Sequence, residues 1–319
     1  MRLNHPHTET VDRPARLGIS LVELLVSIGI LAMLFALLLP AIGSARRTAD
    51  AVQCRARMSQ IGLALHSFEE RNRRYPCGNG ELDWHYELLP DLDRVDLFRQ
   101  LQGHGEDSLH LSVVMSVTSV PVLQCPSDPK LGSWKSAINF LRNAGSMFAA
   151  YEYPFDTDGM TSIPLGGPVS SRDIPDGLSM TAYVSEQMNE FRSLSTDRRA
   201  KWRTPILYGQ PNQLDLFADL CESMPSGALG SPGGPGDNFP LTFIDGLTRY
   251  DHIVRPNHAS CRNKTLDSRF GAFTANSLHS GGVHVLMADG AVRFVNNNVT
   301  RVVWRGMGTR NGHETITLP

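Results

Sequence analysis

The chain has 319 residues, 41% hydrophobic and 19% charged, so a packed core is within reach and wholesale disorder is excluded. Its 30 Lys and Arg against 32 Asp and Glu leave a formal charge of −2, which argues against a nucleic-acid partner, since a general binder needs a basic excess on one face. A mean hydropathy of −0.19 excludes a polytopic membrane protein, yet it hides one very apolar segment.

That segment is Ile19 to Leu39, ISLVELLVSIGILAMLFALLL, 21 residues with one charge. At about 1.5 Å of rise per residue it spans roughly 30 Å, enough to cross a bilayer core. It is also longer than the ~7–15 apolar residues of a secretory signal peptide; a plain signal anchor is the alternative. Glu23 lies inside it, and an acid there is costly enough to need a partner or a function. Helical pattern continues from Pro40 to about Arg73. Ile42, Ala45, Ala49, Val52 and Ala56 form one stripe at spacings of three and four; Cys54, Met58, Ile61, Leu65 and Phe68 form a second. Charged residues lie between them, so an amphipathic helix with a packing face is predicted. Tyr75-Pro76 and Gly78-Asn79-Gly80 end it.

Beyond residue 80 the pattern is of short elements. Leu88 to Leu101 predicts a helix or helical turn, and the Val- and Thr-rich run Val113 to Leu123 a strand. Ile174-Pro175-Asp176-Gly177 is turn chemistry before a strand, Met180 to Ser185. Ser223 to Asp237, SMPSGALGSPGGPGD, reads as loop. Gly282 to Val295, GVHVLMADGAVRFV, reads as a hairpin with Asp289-Gly290 at its turn, both expected at positive φ.

The N-terminus resembles that of type IV prepilins and type II secretion pseudopilins: Arg13-Pro14-Ala15-Arg16-Leu17-Gly18, then the apolar run with Glu23 fifth from Ile19. The resemblance implies cleavage between Gly18 and Ile19 by a prepilin peptidase and methylation of the new amine. It implies that Glu23 neutralises a neighbouring subunit's terminal amine during assembly, and it matches Pro40 to the helix-kinking proline of pilins. Ile19 stands where Phe is usual, and the leader is long at 18 residues. A count of flanking arginines (Arg2, Arg13 and Arg16 before the span; Arg46, Arg47, Arg55 and Arg57 after it) would hold the body inside; the leader places it outside.

Further stretches resemble a bacterial family of large prepilin-like proteins, domain of unknown function 1559. They are LLPAIGSARRTADAVQCRARMSQIGLALHSFEE, the Cys125-Pro126-Ser127-Asp128-Pro129 segment, IPDGLSMTAYVSE, YDHIVRPNHASC and LHSGGVHVLMADGAVRFV. The last carries His279, nine residues, then Asp289-Gly290, the signature of that family, whose activity is not established. The resemblance runs from about residue 16 to 298.

Candidate chemistry is sparse. His279, His284 and Asp289 invite a metal reading, but in an extended strand the two histidines point to opposite faces, so a structural hairpin is favoured and no metal is assigned. Asp156-x-Asp158-Gly159 begins like a calcium loop, making calcium the one cofactor with any motif, although no Glu closes the loop. No hydrolase elbow, metalloprotease helix or phosphate loop is present. Without a Cys-x-x-Cys pair among Cys54, Cys77, Cys125, Cys221 and Cys261, zinc is not indicated. In an oxidising compartment Cys221 and Cys261, flanking the Gly/Pro loop, are the disulfide candidate, while Cys54 reads as a small buried apolar residue.

The expected fold class is α+β, pilin-like, with a long N-terminal transmembrane helix packed on an antiparallel β-sheet body with long loops. The expected divisions are a leader at 1–18, a helix at 19–73 with its span at 19–39, and a body at 74–319. The expected role is a non-enzymatic pseudopilin-like subunit of a type II secretion or type IV pilus-like system. It would sit in the inner membrane by one span, with its body periplasmic, and meet other pilin subunits through the helix. A membrane-anchored ligand-binding protein is the alternative, and a hydrolase the third.

Overall fold

A computed structural model describes residues 20–77, 84–102, 118–128, 138–147, 157–160, 168–188, 201–203, 211–223, 249–262 and 271–318. The chain divides into two units, Met1–Thr48 and Ala49–Pro319. One helix, α1 (Leu21–Asn72), contributes to both and runs unbroken through Pro40. In the first unit it is long and apolar enough to cross a membrane, with large side chains such as Leu21, Leu37 and Leu39 exposed. Its start is capped reciprocally. Ser20 N–H donates to Glu23 Oε2 at 2.9 Å and Glu23 N–H to Ser20 Oγ at 3.2 Å, the capping-box arrangement. Glu23 therefore has a local partner. The Gly18–Ile19 bond lies outside the described residues.

In the second unit the two stripes part company. Cys54, Met58, Ile61, Leu65 and Phe68 are buried, whereas Val52 is exposed. The spacing of four, three, four and three makes a narrow seam on one side of the helix, and that seam enters the core. Polar contacts fix its register: Arg57 Nη1 donates to Gln124 O at 2.7 Å, and Arg71 grips Asp91 through two bonds of 2.7 Å.

The sheet holding the core has the order β4 (Arg249–Tyr250), β1 (Phe140–Asn143), β2 (Ala182–Glu186), β7 (Gly282–Met287), β8 (Val292–Asn296). Its pairings are antiparallel except β1 with β4, which is parallel, so the sheet is mixed and not purely antiparallel. A smaller sheet joins β3 (Lys201–Arg203), β5 (Ser260–Arg262) and β6 (Gly271–Ala272). Every residue of β7 is buried, while β8 keeps one buried residue as the edge. Short helices α2 (Trp84–Leu88), α3 (Val95–Gln102), α4 (Leu214–Ser223) and α5 (Arg301–Gly308) complete the described elements.

Three local expectations change. Leu88–Leu101 is not one helix: a 3-10 turn over Leu89–Leu92 and the left-handed Asp93, φ 58°, separate α2 from α3. The described end of the expected strand at 113–123 is a 3-10 turn, Pro121–Leu123; proline supplies no ladder donor. The hairpin turn is also of another type. Gly290 alone has positive φ, +84°, and its N–H bonds Met287 O at 3.0 Å while Met287 N–H bonds Ala291 O at 2.8 Å. That is a type I turn closed by a glycine bulge. The loop expected over 223–237 lies, past Ser223, outside the described residues.

The hairpin turn is a docking point for α1. A Cβ on Gly62 would sit 3.0 Å from Leu286 Cδ1 and 3.2 Å from Gly290 O, so helix and turn approach at backbone distance.

Between α4 and α5, Glu222 accepts from Arg255 Nη2 at 2.7 Å and Arg301 Nη2 at 2.9 Å. Burial by itself raises its pKa, but the hydrogen bonds from the two arginines outweigh this and hold it at about 2. An unfolded Glu titrates near ~4.3, so the folded value is the lower one. The resulting stability is present above ~4.3 and is lost as pH falls toward 2; water around both guanidinium groups trims it to about 2 kcal/mol. Urea unfolding between pH 5 and pH 2.5 should show this loss, and Glu222→Gln should remove that part of the slope.

Candidate functional site

His279, His284 and Asp289, weighed and set aside as a metal trio, do not come together. Asp289 stays in the hairpin turn, its Oδ1 accepting Ala291 N–H at 2.9 Å. The two histidines do converge, because the extended stretch begins only at Gly282; Gly281, at φ +87°, turns the chain just before it. His279 therefore folds back toward His284, and their rings meet edge to face with centroids 4.9 Å apart.

They meet on Glu186, the last residue of β2. Because β2 and β7 pair through Ser185 and Val285, the next step along β2 brings Glu186 level with His284. Glu186 Oε2 accepts the backbone N–H of His284 at 2.9 Å. Its Oε1 accepts from His279 Nε2 at 3.0 Å and from His284 Nδ1 at 3.1 Å; a carboxylate can only accept, so those nitrogens carry the protons. The Glu186 and His279 side chains are 2% and 4% exposed. Burial alone would raise the Glu186 pKa, but the hydrogen bonds from the two imidazoles bring it below the usual value.

A second layer holds His279. Its N–H donates to Ser277 Oγ at 3.2 Å, and Ser277 Oγ in turn donates to Gly282 O at 2.8 Å. Ser277 N–H is held by Asn257 Oδ1 at 2.8 Å, from a left-handed residue with φ 59°.

Next to this cluster lies a disulfide between Cys54 of α1 and Cys125, so Cys54 is not simply a small apolar residue of the seam. Cys125 Sγ is 3.6 Å from His279 Nε2, and Cys125 N–H is held by Asn139 Oδ1 at 2.8 Å. Ligand-type atoms of Cys54, Cys125, Glu186 and His279 all lie within 4.8 Å of one another. The structure also joins Cys221 of α4 to Cys261 of β5, inside a second apolar cluster with Phe217 and Val254. Cys77 is in neither disulfide. Of the calcium-loop start, Asp156 lies outside the described residues and Asp158 is taken up by Ser146, whose N–H and Oγ donate to its two oxygens.

The stretches that carry the sequence resemblance thus supply one site: Cys54 from the first, Cys125 from the second, Glu186 from the third, Asn257 from the fourth, and His279 with His284 from the fifth. A family model described as "Protein of unknown function (DUF1559)" matches residues 43–301, most of the chain. The chain belongs to this family. No curated protein and no solved structure matches it. The DUF1559 match begins at Gly43, past the apolar run, and spans every residue of the cluster.

Glu186 and the Cys54–Cys125 pairing are what sequence reading missed. The available signal was Glu186 itself, an acid ending the mostly apolar strand AYVSE. Its partners lie over 90 residues away, so no local pattern marks them.

Proposed function

We propose that this DUF1559 protein is a pseudopilin-like structural subunit, inserted by its N-terminal helix, processed after Gly18 and assembled through Glu23. One observation carries the reading. A single helix of 52 residues begins as an apolar run long enough to span a membrane and ends as the core seam of an α+β body. One element thus supplies both a membrane-spanning run and part of the body's core, which a membrane-anchored subunit needs and a soluble enzyme does not. The prepilin-like leader supports the same reading. The body would lie outside the inner membrane, where disulfides persist.

The test begins with protein recovered from its native membrane. Intact mass and N-terminal peptides should show a chain starting at Ile19 with a methylated amine. Glu23→Gln should then disperse the co-purifying subunits. Gln keeps an oxygen to accept from Ser20 N–H, so helix capping survives while the charge that meets a neighbour's amine is gone. A chain still starting at Met1, or unchanged co-purification in Glu23→Gln, would overturn the reading. A specific small molecule retained by the solitary chain would favour the ligand-binding alternative.

A further inference from the structure

A disulfide is a neutral crosslink and has no electrostatic need of a carboxylate beside it. Burying a carboxylate is costly even when it is paired, yet Glu186 and His279 are both buried against Cys54–Cys125. The geometry points to a second state of this site: with the disulfide reduced, Cys54 Sγ, Cys125 Sγ, His279 Nε2 and a Glu186 carboxylate oxygen form a four-coordinate site for Zn²⁺.

The donor set fits. Two thiolates, an imidazole and a carboxylate are all zinc ligands, and bond lengths of about 2.0–2.3 Å place tetrahedral ligand atoms roughly 3.3–3.8 Å apart. The four atoms already lie within 4.8 Å of one another, and the two cysteine Cα atoms, 5.0 Å apart, leave room for the sulfurs to separate by side-chain rotation. Sulfur in the set disfavours calcium and magnesium. The supporting shell is in place as well. His284 holds Glu186 through its ring and its N–H, Asn139 holds the backbone of Cys125, and Ser277 holds that of His279. Such outer contacts orient ligands and raise affinity.

The two states exclude each other, because a disulfide sulfur offers no thiolate. A dithiol reductant delivers two electrons and two protons to the S–S bond and leaves as its own disulfide. Zn²⁺ then displaces the two thiol protons to solvent, and the His279 proton moves from Nε2 to Nδ1 so that the Nε2 lone pair faces the metal. In either state α1 stays tied to the segment at Cys125, covalently when oxidised and through zinc when reduced.

The experiment uses the full chain in detergent micelles, oxidised or reduced with a phosphine, which takes oxygen from water as it gives up two electrons. Each form is incubated with zinc sulfate, desalted and measured by plasma mass spectrometry. The reduced chain should keep about one zinc and the oxidised chain none. In the reduced, unaltered chain, zinc should slow iodoacetamide alkylation of Cys54 and Cys125 by about 10-fold or more while Cys77 reacts as before. Because no residue is changed, that readout does not depend on a variant folding. A Cys221→Ser, Cys261→Ser double variant should keep the zinc, and His279→Ala should weaken it on the order of 10–100-fold. The inference is overturned if the reduced chain keeps no zinc, if Cys54 and Cys125 are alkylated equally fast with and without it, or if the zinc is lost with Cys221 and Cys261. None of these results depends on leader processing or on assembly.

Discussion

Gly290→Val should destabilise the body by about 3 kcal/mol, the upper end of the ~1–3 kcal/mol that a strained backbone position costs. Gly290 holds φ +84°, and a β-branched residue there is a genuine outlier. A Cβ at this position would also lie 2.6 Å from His66 Nε2 of α1, but that ring is exposed and can turn aside, so the cost is one of backbone conformation. Asp289→Ala in the same turn is the contrast, since it loses only the bond to Ala291 N–H and should cost about 1 kcal/mol. Urea unfolding of the two variants in detergent checks both values. Equal midpoints would mean that the positive φ at Gly290 does not constrain the hairpin.

The second large effect is expected at Cys54. Cys54 and Cys125 are 71 residues apart, and closing a loop of that size in the unfolded chain stabilises by about 4 kcal/mol on the chain-entropy model. Cys54→Ala should lower the unfolding free energy of the oxidised protein by that amount. Alanine is the suitable replacement because the site is fully buried, and a serine hydroxyl would add a desolvation cost of its own. The parent treated with a phosphine in zinc-free buffer should fall toward the variant. If the oxidised parent and Cys54→Ala unfold at the same urea concentration, the crosslink does not constrain the chain. A control on Cys221→Ala separates the two disulfides, since that bridge closes 40 residues within another apolar cluster.

Both effects bear on the proposed role. A subunit anchored through one helix needs that helix fixed to its body, and three devices do so within the second unit. These are the apolar seam from Cys54 to Phe68, the backbone approach of Gly62 to Gly290, and the crosslink at Cys54. The Arg71–Asp91 pair adds register but little energy, because the arginine is 53% exposed.

What the sequence by itself determined is what short-range pattern can encode. The apolar run and the seam at spacings of three and four specify α1, since helical period alone decides which side chains share a face. Alternation around Asp289-Gly290 specifies the β7–β8 hairpin, and turn chemistry before Met180 specifies β2. Where a local cue failed, another local cue outweighed it: Asp93 in the left-handed region splits Leu88–Leu101, and Pro121 turns the end of 113–123 into a 3-10 turn. The buried site was decided only by tertiary structure. Alternation set His279 and His284 on opposite faces, but that rule holds only inside a strand, and the turn at Gly281 returns His279 to the same carboxylate as His284. Glu186 reaches both histidines because β2 lies beside β7 in a sheet whose order skips four intervening strands. Cys54 meets Cys125 because α1 docks its seam on that sheet. Each of these contacts joins groups more than 70 residues apart, and periodicity carries no information over such a distance; only the packing of one element against another brings them together.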